Sequence, residues 1–123
     1  MLDKQAFRET YHFLDKEVII EIIDIFLSEY ETKLQKLEQN LADGDLPGIR
    51  FTAHNIKGVV SNFNVSELYQ QAKELEQTAT ALVESGGEGL DKEAMLLKIR
   101  EIRKSTEIMA TDLRELRTEM LAE

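Results

Sequence analysis

Three features of the sequence predict an all-α fold, an up-and-down four-helix bundle with a short additional N-terminal helix. Apolar residues recur at spacings of three and four through four long segments, the pattern of helices that bury one face. Only one Pro and six Gly interrupt 123 residues, so few breaks are obligatory. The breaks that do occur sit beside capping residues, which implies short connections between neighbouring helices. A chain of this length fits one domain spanning 1–123, with a single continuous core and no room for two.

A short first helix is expected near Asp3 to Tyr11. The second opens with Asp15 as N-cap and carries Ile19, Ile22, Ile23, Phe26, Tyr30, Leu34, Leu37 and Leu41 on one stripe. Its β-branched start, Val18 to Ile20, keeps the helical period. Gly44 is placed to end this helix, and Asp45 with Pro47 supplies a cap and an early-turn proline for a third helix over about 46 to 62. Asn64 tolerates a left-handed backbone, and Ser66 can cap a fourth helix whose stripe is Leu68, Ala72, Leu75, Ala79 and Leu82. The strongest loop is "SGGEG" at 85–89. Beyond it Asp91 can cap a last helix bearing Met95, Ile99, Ile102, Met109, Leu113 and Leu116.

Composition narrows the function. A formal charge of −9 without a basic patch argues against nucleic acid and anionic membranes, leaving proteins as the expected partners. The start, "MLDKQAFRETYHFLDK", lacks a basic segment followed by an apolar one, and no apolar run approaches the ~20 residues that span a bilayer, so a cytoplasmic protein without direct membrane insertion is expected. With no Cys there are no disulfides and no thiolate chemistry, and two His cannot build a convincing zinc site, so no metal is expected. The acidic clusters Glu29/Glu31 and Glu74/Glu76 read as solvated helix faces, and Met95, Met109 and Met120 as core filler or end-of-chain residues. Nothing beside His12 suggests a site.

The stretch "RFTAHNIKGVVSNF", Arg50 to Phe63, is different. At about 100° per residue, Ile49, Ala53, Val60 and Phe63 fall within roughly 60° of Ile56, with Val59 at a similar angle, while His54 points about 160° away. His54 therefore faces solvent, in company with Arg50, Phe51, Lys57, Gly58 and Ser61. Gly58, at i+4, costs about 1 kcal/mol relative to Ala inside a helix, which suggests that open space beside the imidazole is useful. Lys57, at i+3, can reach an anion attached to the ring, and Phe51, at i−3, offers an apolar rim for docking.

Together "AHNIKG", Ala53 to Gly58, resembles the signature of histidine-containing phosphotransfer (HPt) domains, helical-bundle carriers of two-component phosphorelays. The similarity continues upstream through "IFLSEYETKLQKLEQNLADGDLPGIRFTAHNIKG" and downstream into "ELYQQAKELE". It covers residues 13 to 77 well, whereas the last helix matches only in its amphipathic character. The resemblance implies that His54 accepts a phosphoryl group from the aspartyl phosphate of a receiver domain and passes it to another receiver. It implies that Lys57 helps to hold the phosphate and that Gly58 keeps the ring accessible; Arg50, Phe51 and Ser61, which share the exposed face by helix angle, are the expected docking rim. The partners would be receiver domains of response regulators or hybrid histidine kinases. Val59 and Val60 depart from the small or hydroxyl residues frequent after the glycine, and Asn64 replaces a frequent turn glycine.

Neutral imidazole, with an unperturbed pKa of about 6.5, is a competent nucleophile and gives a phosphoramidate that still transfers. No Gly-rich phosphate loop or kinase motif set is present, so a phosphocarrier is expected rather than an autonomous enzyme, with no cofactor of its own and the divalent metal on the receiver. The alternative is an adaptor that docks a signalling partner through the face around His54 and transfers nothing. A bundle-type phosphatase or kinase fragment would need an ATP-binding domain or a second carboxylate beside the histidine, and the sequence displays neither.

Overall fold

Asp3 starts the first helix by accepting a hydrogen bond from the Ala6 amide at 2.9 Å, and in the computed structural model, which describes residues 2–123, five helices follow. They are α1 (Lys4–Thr10), α2 (Lys16–Ala42), α3 (Leu46–Val60), α4 (Ser66–Glu84) and α5 (Lys92–Leu121). No strand occurs among the described residues. The protein is all-helical, as its periodicity predicts.

The expected stripes are the buried faces. Ile19, Ile23, Phe26, Leu34, Leu37 and Leu41 of α2 are buried, while Ile22 and Tyr30 remain half-buried. All five residues of the α4 stripe and all six of the α5 stripe are buried, and Met120 joins them. Aspartate side chains cap the starts of three of the five helices. Asp45 accepts from the Gly48 amide at 2.9 Å to open α3, and Asp91 accepts from the Ala94 amide at 3.1 Å to open α5.

Other boundaries depart from expectation for physical reasons. Asp15 occupies the N-cap position of α2, but its side chain makes no capping bond. Ser66 is the first helical residue of α4 rather than its cap; Val65 takes the cap position because its side chain is buried in the core. The third helix stops at Val60 instead of 62 and tightens into a 3-10 turn, Ser61–Phe63, a common way for a helix end to satisfy its last carbonyls. Asn64 follows at φ +57, in the left-handed region, and reverses the chain. That turn drives Phe63 inward, where its ring stacks on Phe7 of α1 at 5.5 Å and leans on Phe26 of α2 at 5.2 Å. Tyr11 adds a hydrogen bond from its hydroxyl to the Asn62 carbonyl, so α1 is fastened to the end of α3.

Each long helix packs on two others, α2 on α3 and α5, α4 on α3 and α5. Polar pairs fix their directions. Asp24 meets Arg117 and Glu38 meets Arg103, so α2 and α5 run in opposite senses, as do α2 and α3, joined by Asn40–Thr52 and Lys33–Asn55. Arg103 of α5 forks between Glu31 and Glu38 of α2 and also reaches Glu107, at 2.7–3.1 Å. Glu31 is thus part of an ion-pair network rather than a free solvated charge.

Candidate functional site

The register of α3 decides which side chains reach solvent. Its Asp45 cap sets the start, and Ile49, Thr52, Ala53, Ile56 and Val60 go inward. Thr52 can be buried because its hydroxyl accepts from the Asn40 amide nitrogen at 2.8 Å. This bond, with Lys33 donating to Asn55 at 2.8 Å, pins the rotation of α3 on both sides of residue 54. The opposite face carries Arg50, Phe51, His54, Gly58 and Ser61, all exposed. The His54 side chain is 68% exposed. Phe51, one turn earlier, is 73% exposed. A Cβ placed on Gly58 would meet no atom within 4 Å, so the space beside the ring is open. Ser61 donates its hydroxyl to the Gly58 carbonyl at 2.6 Å.

One residue of the site was not legible as such. Glu76, on α4, is not the solvated charge its sequence context suggests: its side chain is only 17% exposed and lies between His54 and Lys57. The His54 Nδ1 is 2.8 Å from Glu76 Oε2, and Lys57 Nζ is 2.6 Å from Oε1 and 3.4 Å from Oε2. Burial alone would raise the Glu76 carboxyl, yet the hydrogen bonds from Lys57 and His54 outweigh it and hold the group below its usual value. The same pairing raises the Lys57 ammonium.

These contacts assign the tautomer. An ionised carboxylate only accepts, so Nδ1 must carry the hydrogen, and in the neutral ring the lone pair then belongs to Nε2. No protein group among the described residues bonds Nε2. Lys57 is drawn toward α4 rather than reaching freely over the ring, and a carboxylate does stand beside the histidine, although both of its oxygens are already engaged.

On the other flank of α3, Ile22, Ile25 and Phe26 of α2 and Ile56, Val59 and Phe63 line an apolar groove, with Ile25 52% exposed. Val59 borders this groove and Val60 is buried, so the two valines act in packing. The clue in the sequence was Ile25, an apolar residue off the α2 stripe. His12 is elsewhere, exposed at the end of α1, its Nδ1 2.7 Å from the Glu9 carbonyl.

Fold and site together define a helical-bundle domain that presents an imidazole on an open face, with Nδ1 tied to Glu76 and Nε2 free of protein partners among the described residues. The Hpt domain family model matches residues 21–121, and the chain belongs to that family of histidine phosphotransfer domains. Its structure is similar to the crystal structure of histidine-containing phosphotransfer protein B from Pseudomonas aeruginosa PAO1, with a TM-score of 0.79 and 25% sequence identity over 96% of this chain and 95% of that one. No curated protein sequence matches significantly. No helix among the described residues is long and apolar enough to cross a membrane.

Proposed function

We propose that the chain is a phosphocarrier in a two-component phosphorelay, taking a phosphoryl group on His54 from the aspartyl phosphate of one receiver domain and handing it to another. One observation carries this reading: His54 is exposed with Nδ1 tied to Glu76, which leaves Nε2 as the available nucleophile. In the forward step the Nε2 lone pair attacks phosphorus, an N–P bond forms, the P–O bond to the aspartyl group breaks, and the aspartate leaves as a carboxylate. The return step reverses these changes on a second receiver. Nothing in the exchange needs ATP, and the chain supplies a positioned ring rather than a catalytic apparatus. The divalent cation that neutralises charge in transfer belongs, in this reading, to the receiver.

Gly58 leaves room for the phosphoryl group, and Lys57 is near enough to exchange part of its bond with Glu76 for one to phosphate. Arg50, Phe51 and Ser61 form the near rim of the docking face, which the groove around Ile22, Ile25 and Val59 extends on the α2 side. The partners are receivers of response regulators or hybrid histidine kinases. An up-and-down arrangement of the four long helices, one domain over 1–123 and a cytoplasmic site of action complete the reading; the opposed directions of α2 against α3 and α5 support the first.

The test is incubation with a phosphorylated receiver and magnesium, following acid-labile, alkali-stable phosphate on wild type and His54→Gln. Label on the wild type that disappears in the variant is the expected result. A folded wild type that takes no label from several receivers would leave the adaptor as the better description.

A further inference from the structure

We propose that Glu76 is a positioning residue that keeps the Nδ1 proton on the phosphorylated His54 ring and thereby sets how readily the phosphoryl group leaves. This rests on His54 being the acceptor. Attack by Nε2 releases no proton, so the phosphorylated ring carries both substituents, phosphorus on Nε2 and hydrogen on Nδ1, with one positive charge. If that hydrogen stays, N–P cleavage returns the electron pair to Nε2 and expels a neutral imidazole. If it is lost, the leaving group is an imidazolate, which is far poorer. A carboxylate already 2.8 Å from Nδ1, its own side chain only 17% exposed, opposes that loss.

The charges around the pair are few. Lys57 on α3 shares the carboxylate and lies near Tyr69 of α4, Lys73 and Glu84 of α4 line the same shallow hollow, and Arg50 lies on the exposed face of α3. From α2, Lys33 is occupied by Asn55 and Glu29. Glu76 is therefore the carboxylate in contact with the ring, and Lys57 is its competitor: any bond Lys57 makes to phosphate frees Glu76 for Nδ1. The carrier would thus strengthen its hold on the ring proton once it is loaded.

The test needs no partner. In a His12→Gln background, which leaves His54 as the one imidazole, the parent protein (wild type at Glu76), Glu76→Gln and Glu76→Ala are phosphorylated with potassium phosphoramidate, whose N–P bond breaks with loss of ammonia, and decay of the phosphohistidine signal is followed by 31P NMR from pH 5 to 9, with helix content checked by circular dichroism. Decay should be fast while Nδ1 is protonated and slow above the ring's midpoint. Loss of the carboxylate should move that midpoint down and lengthen the lifetime above it about tenfold in both variants. A midpoint equal in wild type and Glu76→Gln overturns the proposal. So does a 15N spectrum of unphosphorylated wild type in which hydrogen sits mainly on Nε2. A folded wild type that gives no phosphohistidine signal at all is a separate outcome, which removes His54 as acceptor and the proposal with it.

Discussion

Gly58→Ala should make the protein more stable, and enlarging the same side chain should make it a worse carrier. A glycine inside a helix costs roughly 0.5–1 kcal/mol relative to alanine because it loses more backbone freedom on folding. That gain is normally offset where the added methyl collides, but at Gly58 it would meet nothing within 4 Å, so most of the difference should appear as stability. For a domain of this size it corresponds to a rise in Tm of about 2–5 °C, read by thermal unfolding. Glutamine keeps good helix propensity but lays a longer chain over the space next to His54. Transfer requires the reacting atoms to approach within about 3–3.5 Å, so Gly58→Gln should slow labelling from a phosphorylated receiver at least about tenfold, some 1.4 kcal/mol of barrier. A less stable alanine variant, or a glutamine variant labelled at the wild-type rate, would refute the view that this glycine is kept for access.

Other perturbations follow from the contacts described. Asp45→Ala removes the acceptor of the Gly48 amide and should cost about 1 kcal/mol in denaturant unfolding, with no change in the lability of preformed phosphohistidine. Leu113→Ala, at a fully buried α5 position, should cost about 2–5 kcal/mol by the same method. Because Glu76 is held below its usual value, its stabilising contribution should be intact above the unfolded carboxyl's value of 4.5 and fade as pH falls through the lower folded value; comparison with Glu76→Gln in acid titrations of unfolding reads this directly, and a stability gap that persists in full at pH 2 would contradict it. Ile25→Glu should slow transfer from a receiver while leaving phosphorylation by phosphoramidate unchanged; equal loss in both would point to misfolding rather than docking.

The orientation of His54 was readable because one helix period relates it to Ile49, Ala53 and Ile56, all within a few residues. The role of Glu76 was not, since it depends on where α4 sits against α3, twenty-two positions along the chain, and a lone carboxylate on an amphipathic helix looks the same whether it meets water or an imidazole. Caps show a similar divide. Asp45 and Asp91 cap as their local sequence suggests, whereas Ser66 yields its expected place to Val65, because burying an apolar side chain in the core outweighed one capping bond. The early end of α3 is likewise a tertiary effect: Phe63 must reach Phe7 and Phe26, and a continuous α-helix register does not announce that demand.

The seam between α2 and α5 imposes an order on sequence drift. Three carboxylates from Glu31, Glu38 and Glu107 converge on the single guanidinium of Arg103. Any one of the acids can be replaced while the arginine still satisfies the other two, but an arginine lost first leaves like charges crowded along a helix junction, and a lysine there could not fork to both partners on α2. Descendants of this chain should accordingly shed the glutamates before the arginine, and a relative that lacks the arginine should lack most of the acids too.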